Sequence, residues 1–283
     1  MSALELAMNG GLRGSLSKMP VILTEPINYT LAIGDEALPL NGLLGHQLSI
    51  EYLGEINCSH CGRRTKTSFS QGFCYPCFRK LPQCDTCIVS PEKCHYSQGT
   101  CRDPAWGEQF CMTDHIVYLA NSSGIKVGIT RASQVPTRWI DQGATQALPF
   151  IRVATRYQSG IIETLFKEFV SDRTNWRTML KGAANQINLK QAAAELLDTN
   201  QSRINSIQTE FGINAIQPLT NADEVLLHYP VNEYPVKVTS LSFDKTPIIE
   251  GVLMGIKGQY LIFDTGVLNI RKHSSYQVKV SVV

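Results

Sequence analysis

The chain has 283 residues, of which 43% are hydrophobic and 18% charged, and its formal net charge is +2. This length suits two or more domains, and the absence of any run of about 18 apolar residues excludes a bilayer-spanning helix. The first twenty residues lack the basic start and apolar core of a secretory signal. We therefore expect a cytoplasmic protein with no membrane partner.

Basic residues are concentrated in the middle of the chain. Between Cys58 and Cys111 there are seven Lys and Arg residues and four Asp and Glu residues. Between His115 and Asn185 there are nine basic and four acidic residues. The rest of the chain is acidic, with 10 basic and 16 acidic residues. A basic centre favours a polyanionic partner such as nucleic acid, although a solvated basic face around an ordinary core is the alternative.

The first segment, residues 1–57, is predicted to be a small β unit. Its apolar runs are short and interrupted by glycine, and Gly45–Leu53 alternates between polar and apolar residues as a strand does.

Residues 58–113 hold all nine cysteines of the chain. Clustering, an odd count and a reducing cytosol favour metal binding over disulfides. Cys58 and Cys61 form one Cys-x-x-Cys knuckle, and Cys74 and Cys77 form another after twelve intervening residues. Two such knuckles supply the four thiolates of a closed structural zinc site, so we expect the metal to fold this module. The alternative is four reduced cysteines buried as small apolar residues.

The remaining cysteines form a second, less regular cluster. Its pattern predicts a second structural zinc held by four of five thiolates, namely Cys84, Cys87, Cys94, Cys101 and Cys111. Three alternatives remain open: His95 replacing a thiolate, a crossed pairing with the first knuckles, and an iron–sulfur cluster. His115 is interpreted as a strand residue.

Residues 114–185 show the pattern of a hairpin followed by helices. Two β-type runs, His115–Ala120 and Ile125–Ile129, flank a turn-forming Asn-Ser-Ser-Gly. A segment that bears arginine follows, then a third apolar run at Phe150–Ala154, then a helix that Glu163 is expected to open.

Four positions in this segment carry a family resemblance. Tyr118 lies in VYLA, Gly128 lies in the Lys-Val-Gly-Ile-Thr run that begins at Lys126, and Arg138 and Glu163 follow in order. In order and spacing the segment resembles the GIY-YIG nuclease superfamily in a variant form. The resemblance covers residues 114–185 and implies a GIY-YIG-like α/β domain.

The resemblance also implies site residues. In a nuclease of this kind Glu163 would hold Mg²⁺ or Mn²⁺, Tyr118 would position or activate water, and Arg138 would clamp the phosphate. Lys126 would lower the pKa of the tyrosine or contact the phosphate. The residues expected to bind substrate are Gly128, Thr130, Arg131 and Trp139. Trp139 is included as a stacking surface for bases, and burial of its ring in the core is the alternative.

The segment departs from the nuclease pattern at three positions. Val117 precedes the tyrosine, Lys126 stands where the second tyrosine is usual, and Lys167 stands where the variant form often has histidine. The arrangement of cysteine clusters ahead of this unit also resembles an uncharacterised bacterial family of unknown function. The leading interpretation is a nucleic-acid-directed, metal-assisted endonuclease. The alternatives are a non-catalytic nucleic-acid binder associated with RNA or ribosomes, and a regulatory zinc protein with a protein partner.

The last two segments complete an α+β prediction. Residues 186–233 are expected to form a helical connector, because Leu189–Leu197 and Asn200–Gly212 have helical composition. Residues 234–283 contain short apolar runs joined by glycine-bearing turns, which predicts a small C-terminal β barrel, with a sandwich as the alternative.

Overall fold

A computed structural model describes residues 2–283, and it has the mixed α+β class that the sequence predicts. The chain divides into two compact units. The first combines the chain up to Arg79 with Leu180–Gly182 and His228–Val283. The second consists of Lys80–Met179 and Ala183–Leu227.

The helices and strands are numbered in chain order. The helices are α1 (Ala3–Met8), α2 (Tyr75–Lys80), α3 (Thr86–Val89), α4 (Pro104–Phe110), α5 (Thr137–Asp141), α6 (Arg156–Phe166), α7 (Trp176–Met179), α8 (Leu189–Thr199) and α9 (Gln201–Phe211). The strands are β1 (Leu12–Ser15), β2 (Val21–Ile22), β3 (Asn28–Ile33), β4 (Glu36–Pro39), β5 (Gln47–Asn57), β6 (Arg64–Thr65), β7 (His115–Asn121), β8 (Ile125–Arg131), β9 (Gln146–Val153), β10 (Ile216–Pro218), β11 (Val225–Leu226), β12 (Ser240–Leu241), β13 (Ile248–Lys257), β14 (Tyr260–Phe263), β15 (Gly266–Asn269) and β16 (Tyr276–Val282).

The first unit is built on a sheet that joins both ends of the chain. Its strand order is β1-β16-β5-β13-β14-β15-β12, with β6 paired to β5. Within it Ile50 of β5 lies opposite Val280 on one side and Ile249 on the other, and all three are buried. A second, smaller sheet has the order β2-β3-β4.

The C-terminal strands, predicted as a small barrel, belong to this open sheet. Its order begins at β1 and ends at β12, and these two strands do not pair among the described residues. The N-terminal strands β1 and β5 supply hydrogen-bonding partners for β16 and β13, so the C-terminal strands need not close on themselves. No helix within residues 2–283 is long and apolar enough to cross a membrane.

The second unit is built on an antiparallel sheet in the order β10-β9-β7-β8, with β11 also paired to β9. The predicted hairpin is β7 and β8, which pair along their whole length. Val117 and Leu119 of β7 lie in the apolar core with residues of α6 and α8. Because side chains alternate along a strand, Tyr118 points to the opposite face of the sheet.

Helix α6 begins earlier than the sequence prediction placed it. The Thr155 side chain accepts a hydrogen bond from the Gln158 amide, and the Gln158 side chain accepts one from the Thr155 amide, so the two form a capping box. Glu163 therefore lies in the second half of α6 and does not open the helix. The Thr-x-x-Gln spacing is a helix-start signal that the sequence contained.

Candidate metal centre and buried polar site

The four cysteines of the two knuckles come together in the first unit. Their Sγ atoms all lie within 4.8 Å of one another, and the Cys61 and Cys74 sulfurs are 3.8 Å apart. Four thiolates at about 2.3 Å from a tetrahedral Zn²⁺ are separated by about 3.8 Å, so this group fits a structural zinc ion. Gly62, with a positive φ of 69°, closes the first knuckle by donating its amide to the Cys58 carbonyl.

One backbone carbonyl ties the metal module to the C-terminal part of the sheet. The Gly72 oxygen accepts hydrogen bonds from the Ser59 amide at 2.8 Å, from the Ser59 hydroxyl at 3.0 Å and from the Ser275 hydroxyl at 2.8 Å. Ser275 lies just before β16, and its own carbonyl accepts the Asn57 amide at the end of β5. The metal loop is therefore hydrogen-bonded to Ser275, and Ser275 in turn links it to Asn57 at the end of β5.

The other five cysteines lie in the second unit and form no disulfide bonds. Cys84 and Cys111 are buried, whereas Cys87, Cys94 and Cys101 are half-buried. The group that converges there is a mixed one: ligand atoms of Asp85, Cys87 and His95 all lie within 4.8 Å of one another. His95 was an open alternative in the sequence prediction, and Asp85 was not foreseen as a ligand.

The four positions that the resemblance marks as catalytic surround one polar site in the second unit. Tyr118 and Lys126 point to the same face of the hairpin, and Gln142 at the end of α5 joins them. Its side-chain oxygen accepts a hydrogen bond from the Tyr118 hydroxyl at 2.8 Å and another from the Lys126 ammonium at 2.7 Å. Tyr118 is 0% exposed and Lys126 is 3% exposed, so both groups lie inside the protein.

Burial sets the protonation of these two groups. It raises the pKa of Tyr118 to about 12, although the charge of Arg138 and a hydrogen bond with it oppose the rise. Burial also lowers the pKa of Lys126 to about 8, and the Arg138 charge lowers it further. At neutral pH Tyr118 is consequently a neutral phenol, which makes it a poor base.

Glu163 belongs to the same electrostatic group. Its charge acts on both Tyr118 and Lys126, and the charge of Arg138 acts on it in turn. Burial raises the pKa of Glu163, and the nearby Lys167 ammonium works against that rise. Arg138 and Glu163 thus lie close enough to Tyr118 and Lys126 for their charges to shift the pKa values of both.

The Lys167 ammonium lies beside the Glu163 carboxylate. The Lys167 Nζ lies 3.3 Å from Glu163 Oε2 and 3.3 Å from Asp172 Oδ2. Burial works against the Lys167 charge, but the two carboxylates outweigh it and raise the pKa of Lys167. One ammonium therefore bridges two carboxylates, and it supplies the positive charge that a metal ion would otherwise bring.

The residues predicted to bind substrate lie in different environments. Trp139 is 1% exposed, with its ring edge-on to Tyr118 at 5.8 Å between centroids, so it offers no stacking surface. Thr130 is 6% exposed and lies opposite Ile116. The Tyr118 ring occupies the space where a side chain of residue 128 would lie, so Gly128 is covered. Arg131 is half-buried, and its guanidinium lies 4.8 Å from the Phe110 ring centre.

Sequence patterns gave no site role to the residues that connect this site, and they marked Lys167 only as a departure from the nuclease pattern. Gln142, Asp172 and Lys167 act through contacts between separate elements, for which a single sequence carries no spacing signal. The sequence contained a signal only at Lys167, which is four residues after Glu163 and so on the same helix face.

The fold and the four-thiol group together define an α+β protein with a candidate zinc module. Residues 45–278 match the family described as "Protein of unknown function (DUF2797)", and the chain belongs to this family. No curated protein and no solved structure matched the chain.

Proposed function

We propose that this protein is a zinc-containing nucleic-acid binder whose GIY-YIG-like segment holds its ligand without cutting it by a divalent-metal mechanism. Structural zinc on Cys58, Cys61, Cys74 and Cys77 stabilises the first unit, and a further zinc ion lies among the cysteines of the second. Two observations support nucleic acid as the partner. Nine basic and four acidic residues lie between His115 and Asn185, and this segment resembles the GIY-YIG nuclease superfamily.

One observation carries the choice of binding over cleavage. Metal-assisted phosphodiester cleavage needs a carboxylate that is free to hold Mg²⁺ or Mn²⁺. Here the Lys167 ammonium lies 3.3 Å from the Glu163 carboxylate and the same distance from Asp172. A divalent ion would have to displace an attached lysine that both carboxylates already attract.

A metal-assisted endonuclease is the second candidate, because the four implied catalytic residues do lie within electrostatic range of one another. In that case Glu163 would hold the Mg²⁺ or Mn²⁺, Arg138 would neutralise the phosphate, and Tyr118 would orient water. Full burial of Tyr118 opposes this candidate, since its hydroxyl must reach a substrate.

The deciding experiment measures binding and cleavage on the same samples of the full chain. Binding of single-stranded and double-stranded DNA and RNA is titrated at several salt concentrations, and nicking is followed with Mg²⁺ or Mn²⁺ present. We expect binding that weakens with salt and no nicking. The variant Arg131→Gln should lower the slope of log affinity against log salt by about 0.9 for duplex DNA if its charge meets a phosphate. Lys190→Gln, outside the segment, should leave that slope unchanged.

Two outcomes would reject the proposal. Nicking by the wild type that disappears in Glu163→Gln would establish the endonuclease. Absence of salt-sensitive binding to any of the four nucleic acids would favour a regulatory zinc protein with a protein partner.

A further inference from the structure

Within the second unit, ligand atoms of three different chemical types converge. Asp85 precedes α3, Cys87 lies within it, and His95 follows it after a short 3-10 turn. Their ligand atoms lie within 4.8 Å of one another, and the His95 Nε2 atom is 3.5 Å from Asp85 Oδ2. Oxygen and nitrogen ligands at about 2.1 Å from a tetrahedral Zn²⁺ are separated by about 3.4 Å, so the observed spacing fits a shared ion.

The hydrogen bonds of His95 assign its tautomer. The Thr100 hydroxyl donates to the His95 carbonyl oxygen at 3.3 Å, which leaves its oxygen to accept from His95 Nδ1 at 2.8 Å. Nδ1 then carries the proton, and Nε2 presents a lone pair toward Asp85 and Cys87. Histidines that bind metals are commonly fixed in this way by a partner on the other ring nitrogen.

The alternative is an ordinary ion pair between His95 and Asp85. Arg102 already fills that role, because its Nε lies 2.8 Å from the same Asp85 oxygen. The His95 separation of 3.5 Å is long for a hydrogen bond and suits two acceptors with a cation between them. An ion pair between His95 and Asp85 would also not explain why the Cys87 sulfur lies within 4.8 Å of both.

The Asp85 carboxylate is held in place independently of any metal. Its Oδ1 accepts the Thr86 amide at 2.6 Å, and the residue is only 8% exposed. Arg102 offsets its charge from the side. A zinc ion at Oδ2 would take the place of the Arg102 contact, and Arg102 would keep its hydrogen bond to the Leu81 carbonyl oxygen while Thr86 holds Oδ1 in place.

We propose that Asp85, Cys87 and His95 bind a zinc ion with one thiolate, one imidazole and one carboxylate, and that water completes the tetrahedron. This inference specifies the second zinc ion of the proposed function and replaces the expected set of four thiolates. Three protein ligands and a water are the arrangement of zinc sites that remain open to exchange, whereas four thiolates form a closed structural site.

The test counts the ligands of the two zinc ions in the full-length wild type. X-ray absorption at the zinc edge should give about five sulfurs at ~2.3 Å and about three nitrogens or oxygens at 2.0–2.2 Å per two ions. Eight sulfurs would overturn the proposal, as would a stoichiometry of one zinc per chain. The number of sulfur ligands does not depend on nucleic acid. A chain that binds no nucleic acid but shows five sulfurs per two zinc ions would refute the proposed function and support the Asp85, Cys87 and His95 site.

Variants separate the named ligands from their neighbours. Asp85→Asn and His95→Ala should each lose one zinc of two, and the matched control Cys101→Ser should keep both. Thr100→Val leaves every ligand in place and should weaken the second zinc on the order of 10–100-fold in a chelator competition. Loss of zinc in Cys101→Ser, or unchanged affinity in Thr100→Val, would overturn the assignment.

Discussion

Gly128 makes room for the ring of Tyr118. The two residues lie opposite each other on β8 and β7, and a Cβ atom added at Gly128 would lie 2.7 Å from both Cζ and OH of the tyrosine. That glycine is therefore required by a neighbouring side chain inside the protein, whereas the family resemblance suggested that it lets backbone approach a substrate.

Replacing Gly128 with alanine should destabilise the second unit. The added methyl group collides with a fully buried ring, and overpacking of this kind costs about 1–3 kcal/mol. Urea unfolding measures the change. Gly42→Ala is the control, because nothing lies within 4 Å of its added Cβ and its φ is not in the left-handed region. Equal stability of the two variants would contradict the packing argument.

Removing the Lys167 ammonium should destabilise the fold at neutral pH. Lys167→Met leaves two neighbouring carboxylates without their shared cation, and we expect a loss of about 1–2 kcal/mol, less than for a fully buried pair because Lys167 remains partly exposed. The matched control Lys190→Met breaks an ion pair whose side chains are 60% and 96% exposed, and it should cost less than about 0.5 kcal/mol. A double-mutant cycle with Glu163→Gln measures the coupling, and a coupling of zero would reject the bridge.

The stability of the chain should depend on Lys126 at alkaline pH. Its pKa is lowered to about 8 by burial, whereas an unfolded lysine titrates near 10.4. Between these values the unfolded chain holds a proton that the folded chain has lost. Stability therefore gains up to about 1.4 kcal/mol per pH unit from this group as the pH rises. Unfolding free energies between pH ~8 and ~10 should show a smaller slope for Lys126→Met than for the wild type. The exposed Lys190→Met should keep the wild-type slope.

Loss of the first zinc should loosen the strands to which its loop is bonded. In Cys58→Ser we expect faster amide exchange at Ser59, which donates to Gly72, and at Asn57, which donates to Ser275. Hydrogen exchange read by mass spectrometry measures this, with zinc content determined on the same sample. Amides of β7 in the second unit serve as the internal reference. Unchanged exchange at Ser59 and Asn57 in zinc-free protein would show that the metal does not hold the loop.

Local patterns predicted the parts of this structure that depend on local chemistry. The hairpin was predicted from an Asn-Ser-Ser-Gly turn between two apolar runs, and β7 and β8 extend it by a residue or two at their ends. The four-cysteine group followed from knuckle spacing, because the Cys-x-x-Cys turn itself directs two sulfurs at one point.

Long-range contacts were beyond the sequence patterns. Nothing near Gln142 indicates that it joins Tyr118 to Lys126, since the three residues meet only after α5 packs on the hairpin. The same holds for β5, which pairs with β13 and β16 across about 200 residues of chain. Alternation identified the segments as strands, but register between distant strands is set by packing, so an open sheet was predicted as a closed barrel.

The first unit is made of chain segments from both ends of the sequence, so it can be completed only late in synthesis. Residues 80–227 emerge from the ribosome before β13 and β16, so β5 emerges well ahead of the two strands that flank it in the folded sheet. Until β13 and β16 emerge, most of the eleven residues of β5 lack the strands that pair with them in the folded sheet, and unpaired strand edges can pair with other nascent chains. Cys58, Cys61, Cys74 and Cys77 follow β5 directly in the chain, so a zinc ion bound by them would stabilise the loop at the end of β5 before its partner strands are available.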